Sequence, residues 1–82
     1  MKFGKKRRER WSRDWEKHSR KNGYLAKICY NHFHNIFYFM IHKGDYVFNS
    51  TWKDMKYSTE QECCEECEKY ILSLATETGG EE

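Results

Sequence analysis

The chain has 82 residues and a formal net charge of +2, and 34% of its side chains are charged and 17% aromatic. One small domain with a thin core leaves little room for a catalytic cleft, which favours a protein that acts by binding over an enzyme. No apolar run approaches the roughly 18 residues of a membrane span, and the basic start lacks the apolar stretch of a signal peptide, so we expect a cytoplasmic protein with reduced cysteines.

The net charge conceals two oppositely charged ends. Residues 1–22 carry ten basic and three acidic side chains, a net charge of +7, whereas residues 58–82 carry one basic and eight acidic side chains, a net charge of −7. Complementary poles on one small molecule predict either pairing within the chain or head-to-tail self-association. The acidic end could also meet a basic host protein, as a nucleic-acid mimic does.

The first predicted element is a basic helix from about Lys5 to Asn22. Trp11 and Trp15 fall on one narrow face, and acid-before-base pairs four residues apart support an exposed helix. Asn22 and Gly23 would end it, because both tolerate the left-handed conformation that follows a helix. The opposite face gathers six cations, which are Lys6, Arg10, Arg13, Lys17, Arg20 and Lys21.

The middle of the chain predicts a three-stranded antiparallel β-meander, because its segments are rich in aromatic and β-branched residues. Turns are expected at His34-Asn35 and at Gly44-Asp45. The predicted strands cover residues 24–33, 36–42 and 46–52.

The turns set a register, and the register sets a core face. Ile41 lies opposite Phe48, and the His34-Asn35 turn brings Ile28 and Tyr30 beside Ile41 and Phe39. A slip of one residue would exchange the two faces. The predicted core face consists of Ile28, Tyr30, Phe37, Phe39, Ile41, Phe48 and Trp52.

The last predicted element is an acidic amphipathic helix. Ser58 or Thr59 can cap its start, and early glutamates suit a helix N-terminus. The apolar stripe at helical spacing consists of Cys63, Cys67, Tyr70, Ile71 and Leu74.

The fold class predicted from these elements is α+β, with a basic N-terminal helix, a three-stranded antiparallel β-meander and an acidic amphipathic C-terminal helix. They form a single domain over residues 1–82, with a loose tail at 1–4 and a frayed acidic tail at 76–82.

The six cations predict a nucleic-acid contact made mainly through phosphates, and RNA is favoured over duplex DNA. The alternative is a solvated helix face, which is the commoner origin of a charge run. Tyr38 is a candidate base-stacking residue on an exposed sheet face. The polar side chains expected around it are Lys27, Asn31, His42 and Asn49. The competing interpretation places such rings in the core of a domain too small to leave them outside.

The cysteines permit a zinc site, although no cofactor is predicted. Cys29 and His32, with Cys64 and Cys67, supply a CxxH and a CxxC pair that could close a tetrahedral site. Cys29 and His32 point to opposite faces of a strand, however, and the C-terminal cysteines are equally explained as small apolar residues on the buried side of a helix.

The length, the Lys5-Lys6-Arg7-Arg8 run, the aromatic sheet over 24–52 and the acidic helix around Cys63–Cys67 resemble small phage-encoded early proteins that disarm a host enzyme or defence system. The resemblance implies action by binding, often to a nuclease, a polymerase or a nucleic-acid complex. We therefore predict a regulatory or inhibitory RNA-binding protein that can bridge RNA and a host or defence enzyme. The alternative is a protein-only inhibitor that blocks such an enzyme through its acidic or aromatic surface.

Overall fold

A computed structural model describes residues 2–7, 11 and 13–80, with side chains up to residue 74. Within these residues the chain forms one four-stranded antiparallel sheet, with the strands side by side in chain order, and a C-terminal helix on one face of the sheet. The elements are β1 (Trp15–Lys21), β2 (Tyr24–Asn31), β3 (Ile36–Lys43), β4 (Tyr46–Asn49), a 3₁₀-helix (Ser50–Lys53) and α1 (Glu60–Gly80).

The predicted basic helix over 5–22 is wrong, because its second half is the strand β1. Asn22 and Gly23 have φ angles of 54° and 82°, and Lys21 pairs with Tyr24 across them. Positive φ at both central residues is the geometry of a type I′ turn, which joins antiparallel strands. The Asn-Gly pair therefore reverses the chain between two strands, and the fold has four strands and no N-terminal helix among the described residues.

β1 is a polar strand, and the alternation of its side chains divides the charges between the two faces of the sheet. Glu16, His18 and Arg20 lie on the face away from α1. Charged residues are typical of strands near a sheet edge, where they discourage pairing with other chains. The side chains on the α1 side are Trp15, Lys17, Ser19 and Lys21.

The basic and acidic ends of the chain meet through two of these lysines. Lys17 forms an ion pair with Glu60, and Lys21 forms one with Glu68 at 3.4 Å. Four residues of a strand and eight residues of a helix both span about 12–13 Å, so the two pairs match in length along β1 and α1. Part of the charge of the basic and acidic ends is therefore neutralised by ion pairs within the chain.

Residues 2–7 run along the outer edge of β1. The Gly4 N–H donates to the carbonyl oxygen of His18 at 2.9 Å, and Arg7 and Glu16 exchange two backbone hydrogen bonds of 2.7 and 2.8 Å. Phe3 packs against the core, although the sequence predicts a loose tail there. This segment satisfies backbone groups of β1 that would otherwise face solvent.

The β3–β4 hairpin follows the prediction. Gly44 has a φ of 58° and stands with Asp45 between the paired strands, and Ile41 lies opposite Phe48. A positive φ at the first of two central turn residues is typical of a type II′ turn, which glycine enters without steric cost.

The β2–β3 register differs from the prediction by two residues. Ile28 pairs with Phe39 instead of Ile41, because residues 32–35 form a four-residue loop in which Asn35 has a φ of 52°. The predicted two-residue turn would have been tighter. A shift of two residues keeps every side chain of β2 and β3 on its predicted face, although the pairing of the two strands is not the predicted one.

The core lies between α1 and the two central strands. Tyr30 and Phe37, predicted for the core, are half-buried. Trp52 is 65% exposed and was wrongly predicted as core, because the chain leaves the sheet at the 3₁₀-helix Ser50–Lys53 instead of continuing β4. The buried cluster consists of Ala26, Ile28, Phe39, Ile41, Phe48, Cys63, Cys67 and Ile71.

The helix α1 starts as predicted. The Thr59 hydroxyl accepts a hydrogen bond from the Glu62 N–H at 3.2 Å, which caps the helix. The helix continues to Gly80, into the stretch predicted as a frayed tail at 76–82, and residues 81–82 lie outside the described part of the chain. None of the described helices combines the length and the apolar character that crossing a bilayer requires.

Ser50 is a buried polar residue that continues the hydrogen bonding along one edge of β3. Its Oγ accepts the Phe39 N–H at 3.0 Å at the point where β4 has ended, and farther along the same edge Phe37 exchanges backbone hydrogen bonds with Tyr57 at 2.8 and 2.9 Å. A serine hydroxyl thus occupies the place of a strand carbonyl between two stretches of backbone pairing.

We expect Ser50→Ala to lower the free energy of unfolding by about 1–3 kcal/mol, because it leaves the buried Phe39 N–H without an acceptor. Urea unfolding followed by circular dichroism measures the change. Ser73→Ala, at an exposed position of α1, is the matched control and should stay within about 0.5 kcal/mol. Equal effects of the two substitutions would show that the Ser50 hydrogen bond contributes nothing.

Candidate nucleic-acid interface

Three aromatic rings form a row across one end of the sheet, on the face that carries α1. Trp15 pairs with Tyr30 and Tyr30 with Phe37 in the strand register. The Trp15 and Tyr30 rings are stacked, with centroids 5.7 Å apart and planes 23° from parallel, and the Tyr30 and Phe37 centroids are 5.0 Å apart. The first turn of α1 reaches the next row of side chains, where Glu60 pairs with Lys17. The aromatic row therefore lies at the end of the helix-covered area.

An open cleft of about 580 Å³ lies against this row. Two loops frame it, and they are tied together because the His32 N–H donates to the Asp14 carboxylate at 2.6 Å. Asp14 directly precedes β1 and His32 directly follows β2, so the hydrogen bond closes the end of that strand pair. The side chains lining this aromatic–cationic cleft are Lys6, Arg13, Trp15, Tyr30 and His32.

Positive charge surrounds the tryptophan of the cleft. The Lys6 Nζ lies 4.8 Å and the Lys17 Nζ 5.4 Å from the Trp15 ring centroid, within the range of cation–π attraction. Arg13 adds a guanidinium at the rim, and Glu60 neutralises Lys17 only. The arrangement offers flat aromatic surface for stacking and two cations that suit phosphate oxygens.

The structure brings some of the six predicted cations together, and not on a helix. Lys6 and Arg13 line the cleft, and Lys17 lies at its border against Trp15. Arg10 falls outside the described residues. The sequence alone could not have grouped these three, because Lys6 comes from the segment beside β1 and not from a neighbouring helical turn.

The remaining two cations lie elsewhere. Lys21 pairs with Glu68 farther along the α1 side, and Arg20 points to the other face of the sheet. A shared helical face for all six is therefore wrong for the five that are described, because neighbouring residues of a strand alternate between faces.

Tyr38 lies on the sheet face away from α1, as the sequence predicts. Its predicted polar neighbours share that face by strand alternation, and they are Lys27, Asn31, His42 and Asn49. Burial first, and then the neighbouring Cys29 thiol, raises the pKa of Tyr38 to about 12. The ring is half-buried beside Cys29, and its base-stacking role stays a prediction.

The four predicted zinc ligands do not come together. Cys29 lies on the face away from α1, Cys67 packs in the core on the opposite face, and His32 lines the cleft. Among the described residues, no three histidine, cysteine, aspartate or glutamate side chains are placed to hold a metal ion. Burial raises the pKa of Cys67 to about 12 and also raises the pKa of the half-buried Cys64, so both thiols stay protonated at neutral pH and behave as small apolar groups.

Comparison with protein-family models, with curated proteins and with solved structures finds no match for this chain. Function is therefore inferred from the chemistry of the cleft and of the surfaces around it.

Two residues of the cleft were missed as members of a site, and one signal in the sequence could have found them. If Asn22-Gly23 is recognised as a hairpin turn, counting outward along the two strands places Trp15 opposite Tyr30. His32 then follows at the end of the same strand. The stacked pair and its imidazole neighbour are direct consequences of that turn.

Proposed function

We propose that this protein binds single-stranded nucleic acid, RNA in preference to duplex DNA, through the aromatic–cationic cleft. The observation that carries the proposal is the stacked Trp15–Tyr30 pair, with ring centroids 5.7 Å apart, in a cleft that Lys6 and Arg13 also line. Aromatic platforms with neighbouring cations are the usual means of holding unpaired bases and their phosphates.

The division of labour follows from the chemistry of each side chain. A base stacks on Trp15 or Tyr30, and its flanking phosphates contact the ammonium of Lys6 and the guanidinium of Arg13. In a duplex the faces of the bases are already stacked on one another, so no base face is available to stack on the aromatic row. Because every base offers a π-face, sequence preference is expected to be weak.

We propose that the protein acts by binding, in a regulatory or inhibitory role within the cytoplasm. The exposed side chains of Glu62 and Glu65 form a second, acidic surface in the first part of α1. A basic host or defence protein could occupy that surface while RNA occupies the cleft, which would bridge the two. This is the mode of action that the resemblance to phage early proteins implies.

The test is the affinity for a short single-stranded RNA at two salt concentrations. We expect Lys6→Gln/Arg13→Gln to weaken binding at low salt by about tenfold or more, and to reduce the slope of log K against log salt by about 1.4. The matched control is Lys53→Gln/Lys69→Gln, which removes the same charge from two exposed positions that do not line the cleft. The control should bind as the wild type does.

Three further ligands separate stacking from simple charge attraction. Duplex DNA and an inorganic polyphosphate of matched charge should bind less tightly than the single-stranded RNA, because neither offers an unpaired base. Equal affinity for polyphosphate and RNA, equal loss in both double variants, or no binding at low salt would overturn the proposal. In that last case the protein-only inhibitor is favoured, and its partner should remain bound after nuclease treatment of a host lysate.

A further inference from the structure

A second cleft lies at the edge of β1, on the face of the sheet away from α1. Its volume is about 320 Å³. Arg7 reaches this face because it pairs with Glu16, and paired residues of neighbouring strands project to the same side. His18 and Arg20 reach it by alternation along β1. The residues that line the second cleft are Arg7, His18, Ser19, Arg20 and Leu25.

The lining of the second cleft suits a phosphate group. Arg7 and Arg20 supply forked guanidinium donors on this face. None of the five lining residues is acidic. The nearest carboxylate on this face in the strand register belongs to Glu16. Its Oε1 lies 2.7 Å from the His18 Nε2, so it already has a partner.

The floor beside the second cleft includes a buried imidazole. Arg20, Leu25 and His42 occupy one row across three neighbouring strands. Burial first, and then the positive charge of Lys27, lowers the pKa of His42. The His42 Nε2 is buried and makes no hydrogen bond. The lowered pKa keeps His42 neutral at neutral pH, so the positive charge on this row is that of Arg20.

The two clefts share a wall. Lys6 lines the aromatic–cationic cleft and Arg7 lines the second cleft, and consecutive residues of an extended segment point to opposite sides. The segment 2–7 therefore separates the clefts by the thickness of one chain. A nucleic-acid strand that leaves the first cleft over this edge meets Arg7 next.

We propose that the second cleft is a phosphate subsite, which binds the backbone of the same strand whose base stacks on Trp15 and Tyr30. The proposal rests on the proposed function for the identity of the strand. Trp15 and Arg20 are about 17 Å apart along β1, so a dinucleotide fills the first cleft alone and a hexanucleotide reaches both.

The length of the ligand is the experimental variable. Arg20→Gln should weaken binding of a single-stranded hexanucleotide by about tenfold, because one charge-assisted contact is lost, and should leave binding of a dinucleotide unchanged. Lys69→Gln is the control and should affect neither length. An equal effect of Arg20→Gln on both lengths, or no effect on the hexanucleotide, would overturn the subsite.

A second measurement separates failure of the subsite from failure of the proposed function. Pyrophosphate is titrated into the full chain, and the side-chain N–H signals of Arg7 and Arg20 are followed by NMR. We expect both signals to shift, and the Arg7 shift to shrink severalfold in Arg20→Gln. Shifts without any oligonucleotide binding would retain a phosphate site and reject the nucleic-acid strand. Unshifted arginines at millimolar pyrophosphate would overturn the phosphate site itself.

Discussion

Replacing Phe39 with alanine is expected to lower the free energy of unfolding by about 3–5 kcal/mol. Phe39 is fully buried, and its ring lies between the sheet and the helix. Its centroid is 6.1 Å from that of Phe48, 6.2 Å from that of Tyr57 and 5.8 Å from that of Tyr70. Removing the ring forfeits the transfer free energy gained when it is buried on folding, and it leaves a cavity that these neighbours fill only in part.

Phe33→Ala provides the matched control, because it is the same substitution at a ring that is 92% exposed in the β2–β3 loop. It should change the free energy of unfolding by less than about 0.5 kcal/mol. Urea unfolding followed by near- and far-ultraviolet circular dichroism measures both variants. If Phe39→Ala fails to fold, Phe39→Leu should fold with a smaller loss. Similar losses at positions 33 and 39 would mean that the helix does not pack on the sheet as described.

The small size of the core explains where the candidate site lies. Eight buried residues, three of them from α1, fill the space over β2 and β3. The first turn of α1 covers the row of Lys17 and leaves the row of Trp15 and Tyr30 at the end of the sheet. The single helix contacts mainly the two central strands, and the end of the sheet beyond its first turn is the aromatic one.

Much of the C-terminal half could be predicted from the sequence. Cys63, Cys67 and Ile71 lie four residues apart, and this helical period identified their buried face correctly. The pairing of Ile41 with Phe48 followed from a two-residue turn, for which the strand register is fixed by the turn itself. The prediction that Trp52 lies in the core was wrong. No local feature of the sequence distinguishes a strand that continues from one that enters a 3₁₀-helix, and the hydrogen bond between Ser50 and Phe39 at the end of β4 is a tertiary contact.

The prediction for the N-terminal third of the chain was wrong because two local signals in the sequence conflicted. Charge pairs such as Glu16 and Arg20, four residues apart, fit a helix surface, but they fit an edge strand equally well because polar side chains there can face solvent on both sides. The turn geometry at Asn22-Gly23 was the stronger signal, since only a hairpin uses two consecutive positive φ angles in this way.

For the candidate site, the sequence predicted the type of chemistry and not its location. Lys6 and Arg13 were proposed as phosphate contacts, and they line the cleft. Their aromatic partner Tyr30 was missed because it approaches through strand pairing across the Asn22-Gly23 turn, which was interpreted as the end of a helix. Lys21 was grouped with them by an assumed helical period, whereas the strand turns it toward Glu68.

The buried thiols make a second prediction with a large effect, which concerns alkaline pH. Burial raises the pKa of Cys29 and of Cys67 from 9.0 to about 12, and it raises the pKa of Cys63 as well. Above pH 9 the unfolded chain releases thiol protons that the folded chain retains, so the unfolded state is favoured increasingly. The stabilisation is complete below pH 9 and is lost as the pH rises toward 12.

Ionisation of each thiol in the unfolded chain is expected to lower the free energy of unfolding by about 1 kcal/mol per pH unit in that window. The three thiols together should therefore cause the protein to unfold before pH 12 is reached. Urea unfolding under reducing conditions, repeated from neutral to alkaline pH, measures the slope. Cys67→Ala should be less stable at neutral pH because it leaves a small cavity, and yet its stability should fall less steeply above pH 9. Parallel curves for Cys67→Ala and the wild type would contradict the assignment, because tyrosine and lysine titration is common to both chains and only the difference in slope reports the buried thiol.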